Sequence, residues 1–123
     1  MKPTILMMPR LADDAIASLK QSYTVIGPVH GDDAAGIPVE AKEARALVTY
    51  GGRRTGADLM DALPKLELIA CYGTGIEGVD AAAAKARGIQ LCNAADANAR
   101  SVAEFAVGLM LNAMRGIGRG DRF

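Results

Sequence analysis

Leu66-Glu67-Leu68-Ile69-Ala70-Cys71-Tyr72-Gly73-Thr74-Gly75-Ile76-Glu77-Gly78 joins an apolar run to a glycine-rich loop, and after Val79-Asp80 comes the alanine-rich segment Ala81 to Arg87. Strand, loop and helix in that order form the repeating unit of parallel α/β sheets. The loop spells G-x-G-x-x-G, the pattern of a dinucleotide-binding turn. The spacing after it weighs against that use. In a dinucleotide turn the last glycine already lies in the helix, so the helix N-terminus meets the pyrophosphate. Here Asp80 has the form of an N-cap for a helix over 81–87, with Gly88 at C′. The loop is longer than the fingerprint needs. The next strand, Ile89 to Cys92, ends in Asn93 with Asp96 beyond its tip, whereas the fingerprint places its acidic residue at the end of that strand, about 20 residues on. A glycine-lined loop with another use is the better reading.

Outward from this unit the pattern alternates. Thr4 to Met8 reads as a first strand closed by Pro9. Ala12 to Lys20 reads as a helix with Ala15, Ile16 and Leu19 on one face. Tyr23 to Ile26 is a second strand stopped by Gly27-Pro28, and Gly31 to Glu43 is a loop plus a short helix. Ala46 to Thr49 is a third strand. Thr55-Gly56-Ala57-Asp58 has the form of a capping box for a helix to Leu63, ended by Pro64. Leu66 to Tyr72 and Ile89 to Cys92 are strands four and five. Right-handed crossovers between such units predict a flavodoxin-like, doubly wound parallel sheet of five strands, order 2-1-3-4-5.

The chain has 123 residues, the size of one domain, and its 14 basic and 14 acidic residues cancel. No basic run favours nucleic acid or an anionic membrane as partner. No apolar stretch reaches the roughly 18 residues of a membrane span, and Met1-Lys2-Pro3-Thr4 lacks the shape of a signal peptide. A cytoplasmic protein is expected. Cys71 and Cys92 are expected as small buried residues in a reducing compartment. A metal is not indicated, because the only histidine, His30, lies in a loop.

The last helix is predicted to start at the capping box Ser101-Val102-Ala103-Glu104 and to continue to Arg115. Phe105, Val107, Leu109, Met110, Leu111 and Met114 make it apolar on nearly every side, so one face packed on a sheet leaves another to be covered. The expectation is a homodimer through the Ser101–Arg115 helix, with exchange of the helix between chains as one form of it. The Gly116, Gly118, Gly120 tail, 116–123, is expected to be a flexible end.

Ligands of open α/β sheets bind beyond the carboxyl ends of the strands. Three loops meet there: Tyr50-Gly51-Gly52-Arg53-Arg54, Gly73-Thr74-Gly75, and Asn93 to Arg100. Rows of glycine amides suit a carboxylate or phosphate, and Arg53, Arg54 and Arg100 are available to add charge. The alternative is that the glycines only make tight turns and the arginines are solvated. No Ser/His/Asp set or plausible general base is present, and Glu104 reads as a capping residue rather than a catalyst.

Leu47-Val48-Thr49-Tyr50-Gly51-Gly52, then Asp61 to Glu67, then Gly73 to Asp80 with Arg87-Gly88-Ile89, then Asn98 to Glu104 resemble the N-terminal substrate domain of D-2-hydroxyacid dehydrogenases. The resemblance runs from about Ile5 to Arg115 and lies nearest the glyoxylate/hydroxypyruvate and hydroxyphenylpyruvate reductase branch. In that family the glycine-rich segment belongs to the substrate domain and the dinucleotide fingerprint comes later. The resemblance implies that Gly51, Gly52, Thr74 and Gly75 offer backbone amides to the substrate carboxylate. Asn98 would stand near the substrate, and the helix start at Val102 near the nicotinamide. It implies residues 1–115 as substrate domain, 116–123 as the start of a cofactor domain, and NAD or NADP bound in a full-length parent, with no cofactor or catalytic residue in this chain itself. Phe105 departs from the family, where a histidine is common. A substrate-binding half that does not catalyse hydride transfer alone is the resulting expectation. Two other classes stay open: a non-enzymatic interaction module of the same fold, and an independent flavodoxin-like nucleotide binder.

Overall fold

The computed structural model describes residues 2–31 and 34–121. Strands β1 (Thr4–Met7), β2 (Thr24–Ile26), β3 (Ala44–Thr49), β4 (Leu68–Cys71) and β5 (Gln90–Asn93) form one sheet in the order β2-β1-β3-β4-β5. Every pairing is parallel. Helices α1 (Asp13–Ser22), α2 (Ala57–Asp61) and α3 (Ala81–Ala86) supply crossovers, and two 3-10 turns, Ala34–Gly36 and Val39–Glu43, stand between β2 and β3. This is the doubly wound α/β sheet expected from the alternating pattern. The part of the Gly31–Glu43 loop at 32–33, and the end of the tail at 122–123, lie outside the described residues.

Register decides which side chains share a face. Leu6, Leu47 and Ile69 stand side by side across β1, β3 and β4 and are all fully buried. Leu59, Met60 and Leu63 around α2, with Val79, Ala84 and Ile89 around α3, close over them into one core. Parallel strands need an apolar cover on each face, and this face has it. The opposite face is covered only in part. Ile5 and Met7 of β1 are buried there, on the side where α1 packs beside β2. Towards β5 the cover runs out. Ala46 and Leu68, then Val48 and Ala70, are half-buried, while Gln90 and Cys92, in register with them, are exposed.

Cys92 therefore corrects one expectation. Cys71 is buried, but Cys92 is exposed, because it stands on the edge strand and on the uncovered face. Burial pushes the Cys71 thiol pKa up, which keeps it protonated and unreactive.

Both expected capping boxes are also corrected. Gly56, not Thr55, precedes α2, and no side chain caps it. Thr55 is fully buried, its hydroxyl 3.2 Å from that of Thr49. Its backbone pairs with the next loop instead of capping. Helix α4 (Ala99–Arg115) begins two residues before Ser101, with Asn98 at its N-cap, and Glu104 turns outward to Arg100 at 2.9 Å. Asp80 does cap α3 as read, its carboxylate accepting from the Ala83 amide at 2.9 Å. The tail is not shapeless where described: after Gly116, left-handed at φ 64°, Ile117–Gly120 forms a helical turn, α5, joined to Asn112 Oδ1 by the Gly118 amide.

Leu59→Ala, at a fully buried position, should cost about 2–5 kcal/mol through lost transfer energy and the cavity left behind. Val39→Ala, at a side chain 75% exposed, should change stability by less than about 0.5 kcal/mol. Urea denaturation of both variants checks the contrast.

Candidate functional site

The carboxyl edge of the sheet is built by hydrogen bonds between loops. The Gly78 amide donates to the Gly51 carbonyl at 2.6 Å, the Thr55 amide to the Gly78 carbonyl at 2.8 Å, and the Asp80 amide to the Thr55 carbonyl at 3.0 Å. Thr55 and Val79 thus form a parallel bridge beyond the ends of β3 and β4. The loop after β5 is tied in by the Ala94 amide donating to the Gly73 carbonyl at 2.9 Å, and by Asn93 Nδ2 donating to the Thr74 carbonyl at 2.6 Å. The three loops do meet.

Glycine is required at two of these positions by close approach. A Cβ on Gly51 would stand 2.5 Å from the carbonyl carbon and oxygen of Gly75, and one on Gly78 would collide with the Arg53 carbonyl. Gly51 is buried and Gly52 exposed. Of the expected substrate contacts, Gly51 and Gly75 are therefore in backbone contact with each other, and Gly52 lies open beside them. Thr74 and Asn98 are both exposed and line one groove of about 480 Å³ together with Ala70, Tyr72, Ala94 and Ala97.

Of the three arginines, only Arg53 departs from both readings, since Arg54 and Arg100 are exposed. Arg53 is buried, its Nη1 3.4 Å from the Val29 carbonyl. Arg54 forms a two-pronged pair with Asp58, both bonds 3.0 Å. Arg100 is held by Glu104. The Arg54 hydrogen bonds keep the Asp58 carboxyl below the usual carboxylate range. What stabilisation the pair gives is present above the ordinary carboxylate pKa and is lost as pH falls through the lowered one.

Glu77 and Asn93 have structural places that the motif alone does not reveal. The Glu77 carboxylate lies against both glycines, 2.9 Å from a Cβ position on Gly51 and nearer still to one on Gly75. Asn93 was legible only as a strand end, yet its side chain sets the Thr74 carbonyl. The groove itself has no carboxylate, histidine or lysine among the described residues that line it. Its lining is largely apolar, with Tyr72, Thr74 and Asn98 as the polar side chains.

The end of the G-x-G-x-x-G loop is bonded within the chain. Both backbone groups of Gly78 are bonded within the chain, and the N-terminus of α3 is already occupied by the Asp80 carboxylate. The Gly78 and Ala83 amides are therefore already used within the chain. Among the described residues no cluster of three His, Cys, Asp or Glu side chains could hold a metal ion, and no described helix is long and apolar enough to cross a membrane.

This arrangement defines a class before it defines a family: a doubly wound α/β domain whose glycine-rich loops join at the carboxyl edge of the sheet. Residues 5–118 match the model of the D-isomer specific 2-hydroxyacid dehydrogenase family, catalytic domain. The chain belongs to that family. It is 35% identical over 119 residues to D-3-phosphoglycerate dehydrogenase of Mycobacterium leprae, a match covering 97% of this chain and 22% of that protein. It is 40% identical over 86 residues to a glyoxylate/hydroxypyruvate reductase of Arabidopsis thaliana, covering 70% of this chain and 27% of the relative. The solved 2-hydroxyacid dehydrogenase of Ketogulonicigenium vulgare superposes with a TM-score of 0.87 at 35% identity, over 98% of this chain and 38% of that one. These 123 residues thus span well under half the length of the relatives they match.

Gly51→Ala should destabilise the domain by roughly 1–3 kcal/mol, because the new methyl group overpacks a backbone contact. Gly52→Ala, whose methyl would meet only the Tyr50 ring at 3.6 Å, should cost less than about 0.5 kcal/mol. Thermal unfolding of the two variants distinguishes a loop junction at Gly51 from a mere pair of turn glycines.

Proposed function

We infer that these residues form the substrate-binding half of an NAD(P)-dependent D-2-hydroxyacid dehydrogenase, acting on a small 2-oxo or 2-hydroxy acid in the cytoplasm. The observation that supports it best is the junction of Gly51 and Gly75 with Gly52, Thr74 and Asn98 around it. Backbone amides at the exposed Gly52 and Thr74 and the half-buried Gly75 suit the carboxylate of such an acid, since fixed N–H dipoles favour an anion without a full counter-charge. The Asn98 side-chain amide, with donors and an acceptor, suits the adjacent oxygen. A nicotinamide would supply the hydride; the residues toward it would be those at the start of α4, Val102 among them. NADP and malonate are bound in a solved glyoxylate/hydroxypyruvate reductase of Sinorhizobium meliloti that is 31% identical, with a TM-score of 0.79. The loop at Gly73–Gly78 does not fit the dinucleotide, so these residues hold the acid and leave the cofactor and the proton donor to another part of the enzyme.

Titration of the 123-residue chain with hydroxypyruvate or glyoxylate should shift the backbone NMR signals of Gly52, Thr74, Gly75 and Asn98, with a dissociation constant weaker than roughly 1 mM, equivalent to about −4 kcal/mol. The same sample should show no turnover with NADH or NADPH. Micromolar NAD binding centred on Gly73–Gly78 would reverse the assignment in favour of a nucleotide binder. Absence of any shift with the acids would favour the interaction module, a reading that draws its support from the exposed apolar helix α4.

A further inference from the structure

Two consecutive carbonyls of the loop after β4 are turned toward β5. The Gly73 carbonyl accepts from the Ala94 amide at 2.9 Å, and the Thr74 carbonyl accepts from Asn93 Nδ2 at 2.6 Å. In a planar trans peptide the C=O and the N–H that follows it point in opposite directions, and among the described residues the one cis bond is Gly27–Pro28. The Thr74 and Gly75 amides therefore face away from β5, toward the side where β3 and its loop with Gly52 stand. Neither amide donates to an acceptor among the described residues. Two successive N–H groups turned the same way form a concave seat for an anion.

We propose, on the reading of this edge as the seat of a small acid, that Asn93 is the positioning residue of that seat. Through the Thr74 carbonyl it aims the Gly75 amide at the acid's carboxylate. Thr74 has glycine on both sides, and Gly73 stands at φ 111°. Glycine leaves the peptide between Thr74 and Gly75 free to turn over unless a bond holds it. Turned over, it would present a carbonyl oxygen where the amide stood, and a carboxylate would be repelled.

The two carbonyls are held in different ways. The backbone amide of Ala94 holds that of Gly73, whatever side chain stands there. A side chain holds that of Thr74, so the direction of the Gly75 amide depends on which residue occupies position 93. Asn93 is in register with Cys71 at the last pair of β4 and β5, so the sheet sets its distance from the loop. Only the nitrogen of its amide group can face a carbonyl oxygen at 2.6 Å, which fixes Asn93 as the donor.

Apparent affinity falls in proportion to the share of molecules whose site is competent. Asn93→Ala and Asn93→Leu remove the donor without adding charge. Each should weaken hydroxypyruvate binding, followed by the NMR signal of Gly52, by about fivefold or more, the order of one lost hydrogen bond. Residual dipolar couplings of the ligand-free chain should show the Gly75 N–H direction changed or averaged in both variants, with the Cys71 and Ala94 directions kept. Gln90→Ala, on the same strand and without a side-chain hydrogen bond among the described residues, should leave both readouts as they are. Unchanged binding in either folded variant overturns the inference while the acid site stands. Weakened binding with the Gly75 direction unmoved overturns it too, because Asn93 would then act on the acid directly, and so does an equal loss in Gln90→Ala. Should Asn93→Leu fail to fold, Asn93→Ala decides alone. An unmodified chain that shows no shift with hydroxypyruvate removes the acid-binding reading itself, and the inference with it.

Discussion

The bond from the Gly78 amide to the Gly51 carbonyl, 2.6 Å long, is the constraint on which the binding edge depends. It brings the loops after β3 and β4 into backbone contact, and it is possible only because neither residue has a Cβ. With Gly78 fixed, its carbonyl meets the Thr55 amide, Thr55 meets Asp80, and the starts of α2 and α3 are set in one step. The Thr49 and Thr55 hydroxyls, buried below and 3.2 Å apart, satisfy each other where no water reaches.

A glycine pattern usually taken for phosphate binding is spent here on folding. Backbone amides serve a ligand only when the chain has not already used them. Those of Gly78 and Asp80 are used, while Gly52 and Thr74 stand on the exposed rim. The edge is thus divided into a closed junction and an open lip. The groove beside it has no carboxylate, histidine or lysine among the described residues that line it.

The sheet is asymmetric for a topological reason. Among the described residues, the crossovers through the 3-10 turns, α2 and α3 lie on one face, and α1 serves the other, beside β2. Burial follows: Leu47 and Ile69 are fully enclosed, whereas Val48 and Ala70, one residue along the same strands, are not. The one remaining helix long enough to cover them departs from the sheet edge with its apolar residues exposed.

Alternating apolar runs and helical segments made the α/β class, the strand order and the Asp80 cap legible from the residues, because those features rest on local periodicity and on contacts between near neighbours. The ordered motifs from Leu47 to Glu104 made the family legible as well. Thr55 and Ser101 misled because a capping box competes with whatever else the backbone can bond, and for Thr55 the competitor lies more than twenty residues away at Gly78 and Asp80. Arg53 carried no mark of burial, and Cys92 none of exposure, since both depend on which face of the sheet is covered. Sequence by itself determined the elements, their order and the family. Only the tertiary structure decided which glycines are locked, which arginine is buried and which face lies open, because these follow from contacts between loops and layers far apart in the chain.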